Sequence, residues 1–290
     1  MEERSWKTVF KAVALILSLL ALAVFQVPDP SFHIVACDVG QGDATLIIYK
    51  NSQILVDGGP DSKVLSCLGR HLPFWDREIE LVVLTHPDSD HFAGLIEVFE
   101  KYKVDNYLYN PLSISKPEYK VLENLGGREG VKQIYPLKGR AVGVGLIRLD
   151  ILSPSGDGTG TEKNQEAAQE IPDNATNDYS IVSLVSFGKF RMLLTGDMPP
   201  AVSDQIAASW NSGPVHYIKT PHHGSKHGMT QNLLKAVMPK LAVISVGKNM
   251  YGHPAHEILD MLNLNGIKYL RTDEKGDIEV VSDGEKYWIK

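Results

Sequence analysis

Fifteen consecutive residues, Leu81-Val-Val-Leu-Thr-His86-Pro-Asp88-Ser-Asp90-His91-Phe-Ala-Gly-Leu95, restrict the architecture more than any other part of the chain. They open on a short, β-branched apolar run, the pattern of a buried strand. Two histidines and two aspartates follow within six residues, and then Phe92, Leu95, Ile96, Phe99 and Tyr102 recur at helical spacing. The polar cluster therefore falls in a strand-to-helix turn. Neutral imidazoles and carboxylates are the ligands that a divalent cation takes. Asp88, Ser89 and Asp90 are also good helix caps, and a capping turn is the competing explanation of the cluster.

Three more polar groups stand in the same kind of place. Asp57 follows Gln53-Ile-Leu-Val56, Asp197 follows Phe190-Arg-Met-Leu-Leu-Thr195-Gly, and His222-His223 follow Val215-His-Tyr-Ile-Lys219-Thr-Pro. Taken singly, each is an ordinary turn residue or surface pair. Taken together, they put ligand-type side chains just beyond the carboxyl ends of several apolar strands. If those strands run the same way, the side chains meet at one rim, as a metal centre on a rigid scaffold requires.

Elsewhere the chain alternates strands and helices without a strict βαβ repeat, which predicts stacked sheets covered on their outer faces. Strands are expected at 32–37, 44–49 and 53–56, a hairpin at 180–195, and helices at 61–71, 199–210, 229–237 and 255–265. Gly40-Gln-Gly42 reads as a tight turn, since no Lys-Ser/Thr pair follows to make a phosphate loop. Residues 103–150 offer no chemistry, and Ser153–Asn177, rich in Gly, Asp, Asn, Glu and Gln, reads as a long exposed loop. Cys37 and Cys67 belong to no C-x-x-C pair and are expected to be free thiols. At the amino terminus, Arg4, Lys7 and Lys11 precede an apolar stretch from Ala12 to Val27. Residues 1–27 are therefore expected to be a signal peptide or a membrane anchor that exports the domain at 32–290.

Net charge is −6, so the whole chain has no general attraction for nucleic acid. The charge is uneven, however: from Val215 to Met250 there are five lysines, four histidines and no acid. A positive wall of this kind beside a metal suits a polyanion or a phosphate.

These elements resemble the metallo-β-lactamase fold, and within it the extracytoplasmic hydrolase domain of ComEC-type DNA-uptake proteins. The resemblance rests on Cys37-Asp-Val-Gly-Gln-Gly-Asp43, Leu55-Val-Asp-Gly-Gly59, Thr85-His-Pro-Asp-Ser-Asp-His91, Asn177-Asp-Tyr-Ser180, Leu193-Leu-Thr-Gly-Asp197, Pro221-His-His-Gly-Ser225 and Tyr251-Gly-His-Pro254. It covers nearly all of residues 32–290. It implies an α/β fold, an αββα sandwich, with one or two metal ions at its rim, and hydrolysis of phosphoesters, DNA among them.

Carried over by position, it implies His86, Asp88 and the bridging Asp197 as one metal site, with Asn177 where most relatives have a third histidine. Asp90, His91, His223 and Asp197 form the other site, and Asp57 orients a ligand imidazole. Asp88 stands where most members of the superfamily carry histidine, and that oxygen-rich ligation shifts preference toward Mn²⁺ relative to Zn²⁺. Asp90, His222 and His253 are the candidate catalytic groups, for orienting water and for handling charge on the phosphoryl or leaving oxygen. Expected partners are DNA or another phosphoester, a membrane through residues 1–27, and DNA-uptake machinery. Two other functions fit less of the pattern. One is hydrolysis of a β-lactam or thioester on the same fold, and the other is a non-catalytic binding module for DNA uptake.

Overall fold

A computed structural model describes residues 2–24, 29–154, 169–172 and 175–290. It divides into two units, Met1–Pro30 and Ser31–Lys290. The first contains helix α1 (Glu2–Val24), on which Trp6, Phe10, Leu15, Ile16 and Leu17 are exposed. Among the described residues, no helix is long and apolar enough to cross a membrane. Most of the polar loop expected between Ser153 and Asn177, and Val27 of the amino-terminal segment, lie outside the described residues.

In the second unit, the chain makes β1 (Phe32–Ala36), β2 (Thr45–Tyr49), β3 (Ser52–Val56), α2 (Lys63–His71), β4 (Glu78–Leu84), α3 (Ser89–Lys101), β5 (Lys103–Tyr109), β6 (Leu112–Ser113), α4 (Pro117–Gly126) and β7 (Lys132–Ile134). It continues through β8 (Ala141–Val144), β9 (Ile147–Ser153), β10 (Gln169–Glu170), β11 (Val182–Phe187), β12 (Phe190–Leu194), α5 (Pro200–Ser209), β13 (Tyr217–Lys219), α6 (Gln231–Val237), β14 (Leu241–Ile244), α7 (His256–Leu264), β15 (Lys268–Arg271), α8 (Thr272–Lys275), β16 (Ile278–Ser282) and β17 (Tyr287–Ile289). One large sheet has the order β17-β16-β1-β2-β3-β4-β5-β7, and the other β15-β14-β13-β12-β11-β9-β8.

Strand alternation sorts the core into layers. On β1, Phe32, Ile34 and Ala36 point into the space between the sheets, where they meet Phe187, Phe190 and Met192 of the other sheet. Phe32 and Phe187 stack there with centroids 4.7 Å apart. Val35 and the following Cys37 point the other way, into the layer with Val64, Leu68, Phe92, Leu95 and Leu122 from α2, α3 and α4. The outer face of the second sheet is covered in the same manner by Ile206, Leu233, Val237, Ile258 and Leu262 of α5, α6 and α7. This is the expected four-layer αββα arrangement.

The cysteines depart from expectation. Cys37 and Cys67 are joined in a disulfide, and neither is a free thiol. Thirty residues separate them, so spacing carries no sign of the pairing. What makes it is alternation: Cys37 faces the α2 layer, and Cys67 is on the buried face of α2.

Candidate metal centre

The assumption of co-directed strands holds. β3 and β4 are parallel in the first sheet, and β12, β13 and β14 are parallel in the second. Their carboxyl ends therefore deliver Asp57, His86, Asp197 and the His222-His223 turn to one rim.

Around α3 the turn is pinned by backbone contacts. The amide of Asp43 donates to the carbonyl of Asp90 at 3.1 Å, and that of Gly58 to the carbonyl of His91 at 2.7 Å. Gly42 is needed for this approach, since a Cβ there would run into the Asp90 carbonyl oxygen, and its φ is +155°. Asp57, His222 and His223 have φ of 60°, 51° and 53°, a left-handed backbone that is uncommon for residues other than glycine. Such strain collects where a site over-determines the backbone.

Each imidazole is oriented from behind. The Asp57 carboxylate accepts the Thr85 amide, the Thr85 hydroxyl and His91 Nδ1, each at 2.8 Å. With its proton on Nδ1, His91 turns Nε2 toward Asp197 Oδ1, 3.3 Å away. His86 Nδ1 lies 3.1 Å from the Thr85 hydroxyl, and its Nε2 is 3.6 Å from Asp88 Oδ2 and 4.0 Å from Asp197 Oδ2. His223 donates from Nδ1 to the Ser245 carbonyl at 3.0 Å, leaving Nε2 at 3.2 Å from Asp90 Oδ2 and 3.7 Å from Asp197 Oδ2. Asp57 thus stands behind a ligand-type histidine rather than in the centre itself. Of the two adjacent histidines, His223 is the buried one facing the carboxylates.

His222 is half-open to solvent, with Nε2 3.8 Å from Asp197 Oδ2 and Nδ1 3.5 Å from the side-chain nitrogen of Asn177. His253 follows on the rim, its ring 5.5 Å from that of His222. Asn249 fixes the His253 backbone, accepting its amide at 3.1 Å and donating to its carbonyl at 2.8 Å. Tyr251, 77% exposed, extends the row of rings outward, 5.8 Å from His253.

Asp88 stands at the N-cap position of α3 but makes no side-chain cap hydrogen bond. Its Oδ1 instead accepts from Lys116 Nζ at 2.9 Å and Thr176 Oγ1 at 3.0 Å, and its Oδ2 faces His86. The capping explanation of this residue therefore fails.

Charge follows from this crowding. Burial pushes the Asp197 carboxyl up, but the His91 and His223 charges outweigh it and hold it well below the usual range. Asp90 is held at about 2 by His223 and His91 against its own burial. In the same way, burial lowers the His91 pKa, yet Asp197 and Asp57 raise it well above its ordinary value. His253, desolvated and near His222, is pushed down to about 4.

The residues fit a divalent cation. His86 Nε2, His91 Nε2 and Asp197 Oδ1 are buried with no hydrogen-bond partner among the described residues. Such orphaned atoms are costly unless something satisfies them. They belong to two overlapping groups whose ligand-type atoms lie within 4.8 Å of one another: His86, His91 and Asp197, and Asp90, His91 and His223. A third group, Asp43, Asp57 and His91, shares His91, whose Nδ1 is already taken by Asp57, and a fourth, Cys67, His71 and Asp277, lacks a free thiolate because Cys67 is in the disulfide.

Sequence reading missed three groups beside the centre. Lys116 comes from a stretch that offered no chemistry. Asp43 and Lys219 form an ion pair of 2.7 Å beside His223, and both are nearly fully buried. A lysine closing an apolar strand just before Thr-Pro-His-His was the available sign of that pair.

Residues 37–248 match the metallo-beta-lactamase superfamily, and the chain belongs to it. Within that class it is similar to bacterial competence proteins. ComE operon protein 3 of Bacillus subtilis is 26% identical over 83% of this chain and 32% of its own length. Competence protein ComA of Neisseria gonorrhoeae is 27% identical over 92% of this chain and 35% of its own length. The chain thus spans about a third of the length of these relatives. Among solved structures, the metallo-beta-lactamase fold protein YhfI from Bacillus subtilis superposes with a TM-score of 0.57 at 11% identity, over 89% of this chain and all of that one.

Proposed function

We propose that this chain is an exported, metal-dependent phosphodiesterase or nuclease that acts on DNA in connection with competence. The observation that carries the hydrolase part is the convergence of unsatisfied His86, His91 and Asp197 atoms on one rim, beside the Asp90–His223 pair. His86, Asp88, Asp90, His91, Asp197 and His223 would hold a divalent cation, Mn²⁺ or Zn²⁺, which when bound would supply Lewis acidity and lower the pKa of water. Asp90, 36% exposed on its side chain, is the group we assign to orient the attacking water and take its proton. His222 and His253 line the open side, where an imidazole donates to a phosphoryl or leaving oxygen.

Three observations favour a nucleic acid over other esters. The acid-free segment 215–250 forms the His222-His223 turn and brings exposed Lys226 and Lys248 to the flanking loops. The exposed Tyr251 ring offers a base a stacking surface. The competence relatives point the same way. Export is supported by the basic-then-apolar residues 4–27 and by the Cys37–Cys67 disulfide, a bond that persists in oxidising compartments.

The test is hydrolysis of a chromogenic phosphodiester, single-stranded DNA and a cephalosporin by the same metal-loaded protein. Turnover of the first two and not the third is expected. Asp90→Asn should lower kcat by roughly 10²–10⁴-fold, the contribution of a positioned general base. Cephalosporin turnover without phosphodiester turnover would overturn the reading. Metal binding with no turnover of any substrate would favour a binding module.

A further inference from the structure

The two halves of the centre are not electrically alike. Around Asp90, His91 and His223, the groups behind the ligand imidazoles are the Asp57 carboxylate, the Ser245 carbonyl and the Asp43 carboxylate, 3.7 Å from His223 Nδ1. The charge of Asp43 is already matched by Lys219, whose contact is with Asp43 and not with a ligand atom. Around His86 and Asp88, an ammonium takes part: Lys116 Nζ lies 2.9 Å from Asp88 Oδ1 and 3.4 Å from the Pro87 carbonyl. Thr176 Oγ1 occupies the same Asp88 oxygen at 3.0 Å. Asp88 is left with one oxygen, Oδ2, to offer toward His86.

Lys116 is held there by its place in the chain. It precedes Pro117, which keeps its backbone extended at φ −77°, ψ 119°. Pro117 starts α4, and α4 is docked on α3 through the buried Tyr119, whose ring meets Phe92 edge-on at 5.3 Å. The lysine is thus fixed by the packing of two helices, one of which carries Asp88 at its own N-terminus.

We propose that Lys116 makes the metal centre unequal: its ammonium, seated on Asp88, weakens the site formed by His86, Asp88 and Asp197, so that the site of Asp90, His91, His223 and Asp197 fills first. The physical reasons act together. A fixed positive charge on the far oxygen of a ligand carboxylate repels a cation at the near one, and burial reduces the screening that water would provide. The ammonium also draws electron density from Asp88, making it a poorer donor. Without Lys116, the two aspartates of the first site would face the cation unopposed, as Asp90 and Asp197 do in the second.

The inference rests on the metal-centre reading, and one titration separates the two. The full chain, stripped of metal, is titrated with Mn²⁺ and separately with Zn²⁺ by calorimetry and equilibrium dialysis. Wild type should take one equivalent tightly and a second at least roughly tenfold more weakly, a modest charge effect for a partly buried site. Lys116→Met should tighten the second equivalent by roughly tenfold and leave the first within about twofold. Lys116→Arg, which keeps the charge, should behave as wild type. So should Thr176→Val, which removes a hydrogen bond to Asp88 but not the ammonium. If Lys116→Met fails to fold, judged by circular dichroism, Lys116→Gln carries the same test. Two equal sites in wild type, or a second site that is unchanged or weaker in the folded Met or Gln variant, would overturn the proposal. A Thr176→Val protein that reproduces Lys116→Met would also overturn it, because the cause would then be tethering rather than charge. Binding of no metal at all would instead refute the metal-centre reading itself.

Discussion

Asp197 is the residue on which the centre depends most. Its Oδ1 faces His91 and its Oδ2 lies within 4.0 Å of His86, His222 and His223, so both halves of the site share one carboxylate. Asp197→Ala should therefore lose metal from both positions after dialysis, whereas His86→Ala should lose it from one. Metal analysis of the two dialysed proteins checks this, and full retention by Asp197→Ala would mean that the bridging residue is another. At this scale the residues that meet at the rim were legible, because histidines and aspartates recur just after several apolar strands. Their supports were not. Thr85, Thr176 and Lys116 are common surface or strand residues, and only the tertiary contact with Asp57 or Asp88 gives them a part in the site.

Among elements, the strands and helices were readable wherever one face is fully buried. β4 and α3 follow directly from the apolar run at 81–84 and the helical spacing of Phe92, Leu95 and Phe99. The link between β1 and α2 was not readable, because it depends on which face Cys37 takes and on where α2 docks. That link closes a 30-residue loop containing β2, β3 and the Asp57 turn. In the chain-entropy picture, a loop of this length contributes about 3–4 kcal/mol by restricting the unfolded chain. The Cys37→Ser/Cys67→Ser double variant should accordingly be less stable by about that amount in urea unfolding. Adding reductant to wild type should reproduce the loss, and adding it to the double variant should do nothing. Equal midpoints for the oxidised wild type and the double variant would show that the bridge contributes no stability.

In the α/β sandwich as a whole, the site lies where two sheets meet at their carboxyl rim, so function depends on the sheets holding a fixed relation. Part of that relation is hydrophobic, through the layer of Phe32, Phe187 and Phe190. Part is ionic. Asp43 comes from the β1–β2 turn of one sheet and Lys219 from the end of β13 in the other, and Lys219 Nζ also donates to the Thr220 carbonyl at 3.2 Å. Both side chains are almost entirely out of water, and the pair is adjacent to His223. Desolvating two charges costs much of what their attraction returns, so the pair as a whole adds little net stability. Removing one partner is different, because it strands the other charge in the interior, at a cost of about 3–5 kcal/mol. Lys219→Met should thus be strongly destabilised in urea unfolding of the metal-free protein. The double variant Lys219→Met/Asp43→Asn, with no buried charge left behind, should recover a large part of the loss. A double variant whose loss equals the sum of the two single losses would mean that Asp43 and Lys219 are not coupled. The pair would then contribute nothing to holding the two sheets in register.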